Sequence, residues 1–188
     1  MFGFGTYLGR GLRRFWRRDD GSFVVESVIA LPLLFLAAMV IYEFFEVHRF
    51  NSARDKASYT VADMLSREMG TVNTTYIDNT KSLFDSIVDD NAGSQLRVTA
   101  ISYDVDTDRY AVYWSEVRGT GPMSVLTTSD IATSHATLPL MSDGEHILLI
   151  ESVSDYQRMF AAGFSEDMEI KTRVITSPRF VPKIDWTS

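Results

Sequence analysis

The 188-residue chain has no cysteine and three histidines. His48, His135 and His146 form no HxxxH pair and have no thiol partner, which argues against a zinc site. The lack of cysteine fits either side of a membrane, because an oxidising compartment permits disulfides without demanding them. Also missing are a G-x-S-x-G elbow, a Walker loop and a G-x-G-x-x-G after a strand. Gly119-Thr120-Gly121 runs into Pro122 and reads as a turn. No internal repeat is visible. With no constellation for catalysis, the expectation is a protein without enzymatic activity or cofactor. The net charge of −7 and pI of about 4.9 speak against bulk nucleic-acid binding.

Charge is scarcest between Asp20 and Glu43, where Glu26 stands alone. That stretch, Ser22 to Tyr42, is about the 20 residues an α-helix needs to cross a hydrocarbon core of roughly 30 Å. A carboxylate inside such a span is costly, about 2.5–3.5 kcal/mol for Asp at the centre on insertion scales and less near the edge. Something must offset that cost at Glu26. Before the span, residues 1–20 carry Arg10, Arg13, Arg14, Arg17 and Arg18 against Asp19 and Asp20, a net of +3, while everything after Gly21 carries −10. A basic flank, apolar span and acidic body predict a single-pass membrane protein with its N-terminus in the cytoplasm, Arg13, Arg14, Arg17 and Arg18 being the topology signal. In a bacterium the body would then be periplasmic or extracellular. A cleaved secretory signal would have a shorter apolar core and a small-x-small site, whereas Glu43-Phe44-Phe45-Glu46 follows here. A plain anchor accounts for everything except Glu26.

Pro32 lies inside the span and predicts a kink, tolerated in a membrane helix. Neither Gly nor Pro recurs between Tyr42 and Gly70. Phe50, Ala53, Ala57, Val61, Met64 and Leu65 repeat at three- and four-residue spacing, an amphipathic continuation with Arg54, Lys56, Asp63 and Arg67 off the stripe. Gly70 is the expected stop. A second helix is expected from Thr75 to Val88, opened by Thr75 and Asp78 as a capping box. The period then changes to two. Leu96–Val105 and Arg109–Val117 read as a hairpin about Asp106-Thr107-Asp108, and His146–Val153 as a central strand. Met168–Thr176 reads as a strand with one wet face. A short helix is expected near Ser129–Ala136, and Pro178 and Pro182 keep the tail out of the sheet. The expected architecture is α+β and pilin-like. A long N-terminal helix, half membrane and half amphipathic, packs on a roughly four-stranded antiparallel sheet. The expected segments are a basic leader (1–21), a transmembrane helix (22–42), its amphipathic continuation (43–70) and a periplasmic or extracellular α+β domain (71–188).

The string Gly-Ser-Phe-Val-Val-Glu-Ser-Val-Ile-Ala-Leu-Pro-Leu-Leu, Gly21 to Leu34, resembles the TadE-like family of minor pseudopilins of Tad (Flp) pili, within the type IV pilin superfamily. A basic leader precedes a glycine. Glu26 is fifth after the cut that would fall between Gly21 and Ser22, and Pro32 is eleventh. Phe44-Phe45-Glu46 resembles the aromatic–acidic segment that often closes the TadE-like span. The similarity covers residues 13–50 and departs from the usual pattern at Asp19-Asp20, where small or basic residues are more common. It implies cleavage after Gly21 by a prepilin peptidase, which frees the Ser22 amine. Glu26 would then pair with the N-terminal amine of a neighbouring subunit during pilus assembly. The implied partners are that peptidase, other pilins and pseudopilins, the Tad assembly platform and the membrane. The implied location is the inner membrane, with incorporation into a pilus serving cell adhesion as the further possibility.

Asp104-x-Asp106-x-Asp108 supplies the first three ligand positions of a calcium loop. Arg109 stands where the turn glycine belongs and Ser115 where the bidentate glutamate belongs, so a solvated acidic hairpin is the better reading. Tyr103, Tyr110, Tyr113 and Trp114 are read as alternating sheet residues rather than a stacking patch. Two other function classes compete with the pseudopilin. One is a single-pass membrane-anchored periplasmic ligand-binding or sensor module. The other is an anchored periplasmic enzyme.

Overall fold

A computed structural model of the chain describes residues 20–88, 93–158 and 168–187. Contacts divide the chain into two units, Met1–Phe45 and Glu46–Ser188. Helix α1 (Asp20–Ser66) runs through both, with Pro32 inside it. In the first unit its large apolar side chains from Val24 to Phe45 are exposed, except the half-buried Met39. An 18-residue window there has a mean hydropathy of 2.5 and nothing buried, so this helix is long and apolar enough to cross a membrane.

The second unit is an α+β fold built on an antiparallel sheet. Its strands are β1 (Ser94–Asp104), β2 (Arg109–Arg118), β3 (His146–Tyr156) and β4 (Met168–Thr176), in the order β2-β1-β3-β4. On one face, Ala57, Val61, Ala62 and Leu65 of α1, with Ile77, Phe84 and Val88 of helix α2 (Thr74–Val88), pack on Leu96, Val98, Ala100, Trp114, Leu148, Ile150 and Val174. The amphipathic half of the long helix therefore covers the sheet as its periodicity predicts. On the other face, the segment between β2 and β3, including the short helix α3 (Thr128–Ile131), lays Ile131, Leu138 and Met141 over Ile101, Tyr103, Tyr110, Ile147 and Leu149. Covering on both faces explains why Ile147-Leu148-Leu149-Ile150 is apolar without alternation. In β4, Ile170, Thr172 and Val174 are buried while Glu169, Lys171 and Arg173 are exposed, the one-wet-face pattern expected. Met168, which the alternation places with the buried set, is 37% exposed.

Four local expectations change. Arg54 is off the apolar stripe in the sequence, yet it is fully buried. Its guanidinium carbon sits 3.0 Å from the Phe50 ring centre and Nη1 donates to the Phe50 carbonyl at 3.2 Å. The buried face of α1 is wider than the apolar residues alone mark out, because Arg54, Ser58 and Ser66 belong to it. Helix α1 ends at Ser66, not at Gly70, because the C-terminal tail intervenes. The Arg179 amide donates to the Ser66 carbonyl at 2.8 Å, satisfying a group the helix end leaves open. The cap of α2 is Asn73, whose side-chain oxygen accepts from the Tyr76 amide at 2.8 Å. Asp78 turns away to pair with Arg118 at 2.5 Å. The short helix expected over Ser129–Ala136 starts one residue earlier, where Thr127 and Asp130 form a capping box, and is a single turn, Thr128–Ile131, after which the chain continues in turns such as Ser134 amide to Ile131 carbonyl at 2.9 Å.

Candidate functional site

Gly21 and Ser22 lie in the first turn of α1, Glu26 is exposed one turn further on, and Pro32 follows within the same helix. Glu26 is the one formal charge between Asp20 and Glu43, on a stretch of helix where nearly all large apolar side chains are exposed. Arg13, Arg14, Arg17 and Arg18 lie outside the described residues. The two ends of the expected site, basic leader and acidic helix start, are therefore described on one side only.

Asp104, Asp106 and Asp108 occupy the β1–β2 hairpin. Asp104 Oδ1 accepts from the Asp106 and Thr107 amides at 2.9 and 3.2 Å, and these bonds, the Thr107 amide foremost, hold its carboxyl below the usual range. Asp108, with φ of 51°, takes the Tyr103 hydroxyl at 2.5 Å. That bond, with Asp108 accepting, pushes the Tyr103 phenol up to about 12. The Asp104 and Asp108 carboxylates thus close the turn, and among the described residues no three acids or histidines converge to hold a metal.

Two constellations escaped the sequence reading. The first ties the tail to β2. Ala100 pairs with Trp114 and Ile101 with Val112, so Tyr113 is the extra residue of a β-bulge and is pushed out toward the tail. Its hydroxyl donates to Asp185 and accepts from Lys183 Nζ at 2.8 Å, while Lys183 and Asp185 pair at 2.8 Å. Asp185 is held below the ordinary carboxylate range, first by the Lys183 ammonium and then by the Tyr113 hydroxyl. His146 stacks edge-on against Tyr113, 5.2 Å between ring centres. Burial, and then the Lys183 charge, push its imidazole below 6.5. Beside them Trp114 Nε1 donates to the Ile184 carbonyl at 2.8 Å, and Val72 bridges to Trp186.

The second lies on the sheet face opposite α1 and α2, beside the first residues of the segment between β2 and β3. Register places Arg97, Glu151 and Arg173 side by side across β1, β3 and β4. Arg97 Nε and Nη2 donate to Glu151 Oε2 at 2.8 and 2.6 Å, with the two side chains 13% and 17% exposed. Pro122, Met123 and Ser124 wall this area. Gln95 grips the Met123 backbone through both ends of its amide, at 2.6 and 2.7 Å, and Arg97 Nη1 donates to the Ser124 carbonyl at 2.8 Å. Gly119, with φ of 89°, lies so close to β1 that a Cβ would fall 2.2 Å from the Ser94 carbonyl oxygen. The result is an open groove of about 420 Å³. Alternation in β4 hinted at the exposed basic residues. Their union with Arg97 and Glu151 needs strand order, which no local pattern carries.

Compared with protein-family models, curated proteins and solved structures, the chain finds no match in any of the three.

Proposed function

We propose that the protein is a minor pseudopilin of a Tad/Flp-type pilus, anchored through α1 and cut after Gly21 by a prepilin peptidase. The observation that carries this reading is Glu26. It is the lone charge on an outward-facing apolar helix, five residues beyond Gly21, with Pro32 eleven residues beyond it. A carboxylate in lipid without a counter-charge is unfavourable, and the Ser22 α-amine of a neighbouring subunit supplies one. The pairing would set the register of packed helices. Gly21, within the first turn of α1, makes that turn cheap to open, since glycine costs a helix about 1 kcal/mol against alanine.

In this reading the arginine-bearing leader stays in the cytoplasm, α1 enters the inner membrane and the sheet unit lies in the periplasm, where it meets other pilins and the assembly platform. The protein then has no catalysis of its own. Mass spectrometry and N-terminal sequencing of the protein purified from its native host test this. Loss of Met1–Gly21 and a new terminus at Ser22 are expected. A mature chain that keeps its leader in cells with an active prepilin peptidase overturns the reading.

A further inference from the structure

The sheet unit is acidic, with 13 Lys and Arg against 21 Asp and Glu over residues 46–188. Its open groove runs against that trend. Arg97, Lys171 and Arg173 line it with one carboxylate, Glu151. Glu151 spends Oε2 on both Arg97 donors, so Arg97 is already matched. Arg173 is not. Its nearest carboxylate oxygen among the described residues is Glu151 Oε1 at 3.8 Å, and it makes no hydrogen bond with them. A guanidinium fork left in this state is suited to a second carboxylate in two-pronged contact. Lys171, paired with Glu169 at 2.7 Å, adds a further positive charge at the rim.

We propose that this groove binds a small monocarboxylic acid, with its carboxylate on Arg173 and its carbon skeleton against Pro122, Met123 and Val153. The chemistry of the lining selects this class. Glu151 beside Arg173 disfavours a dianion such as phosphate, because a second negative charge would meet that carboxylate at close range. The apolar wall offers burial that a bare inorganic anion cannot use. The volume falls in the range of small-molecule sites, about 300–1,000 Å³. The site lies wholly in the sheet unit and rests on neither cleavage nor assembly.

The test is saturation-transfer NMR on the full chain in non-ionic detergent micelles, with N-acetylalanine as the probe. N-acetylalaninamide serves as its neutral isostere and inorganic phosphate as the bare anion. The acid is expected to bind at least tenfold more tightly than the amide and to resist displacement by equimolar phosphate. Arg173→Gln is expected to weaken the acid at least tenfold and Lys171→Gln about threefold, each with an unchanged near-ultraviolet circular dichroism spectrum. Arg109→Gln, at the distant start of β2, is expected to leave affinity unchanged. The proposal is overturned by no transfer to the acid, by equal binding of acid and amide, or by displacement by phosphate. It is also overturned if Arg109→Gln weakens binding as much as Arg173→Gln. If Arg173→Gln does not fold, unchanged affinity in Lys171→Gln overturns it instead.

Discussion

At the scale of single residues, two ionisable side chains have separable consequences. Glu26 is exposed on the apolar part of α1 and contributes nothing to the core of the sheet unit. Glu26→Ala is therefore expected to leave the melting temperature of the sheet unit unchanged, and under the pseudopilin function proposed above to abolish pilus incorporation. Normal assembly of that variant, seen by electron microscopy and immunoblotting of sheared pili, would remove the carboxylate from the mechanism. His146 acts on stability. Burial and Lys183 hold its folded pKa below 6.5, with Asp185 acting weakly the other way, so the unfolded chain takes up the proton more readily. Its contribution is whole above pH 6.5 and is lost as pH falls through the lowered folded value. The drop in Tm between pH 7.5 and 5.5 is expected to be smaller in His146→Gln than in the unaltered protein. Equal drops would mean that other groups carry the acid sensitivity.

Among the elements, the C-terminal tail does the least expected work. It has no regular structure of its own beyond one bridge, yet it closes the end of α1, pairs with Val72 and roofs Trp114. Trp114→Phe removes the donor to the Ile184 carbonyl, which is buried with its residue. A lost buried partner costs about 1–3 kcal/mol. Faster hydrogen exchange at the Arg179 and Thr187 amides should accompany that loss, and unchanged exchange there would show that the tail is held elsewhere. Asn73→Ala takes the cap from α2 and is expected to lower stability by about 1 kcal/mol, measured by urea titration. The same change at Thr75, the cap expected from sequence, should cost less.

For the molecule as a whole, the division at Phe45/Glu46 has a direct consequence. The sheet unit holds two apolar clusters of its own, one on each face of the sheet. Residues 46–188 expressed alone are expected to be monomeric, folded and cooperative on heating. A molten product without near-ultraviolet dichroism would show that the apolar half of α1 is needed for folding.

Periodicity along the chain was enough to determine the class of fold and the existence of both long helices and all four strands, and the apolar run marked the helix long enough to cross a membrane. Spacings of three and four, or of two, are imposed by local backbone geometry and are written in consecutive residues. The order β2-β1-β3-β4 was beyond that reach, and with it everything that depends on strands distant in sequence lying side by side. Arg54 reads as a solvated charge in the sequence, yet in the fold it is fully buried against Phe50. Asp63, on the helix, receives Arg179 from the tail at 3.1 Å, a partner 116 positions away. The row Arg97–Glu151–Arg173 exists only once β1, β3 and β4 are in register. Local pattern marks the face most side chains take, Arg54 and Met168 being departures, whereas which charges meet is decided by long-range pairing, whose free energy comes from burial shared among all the elements at once.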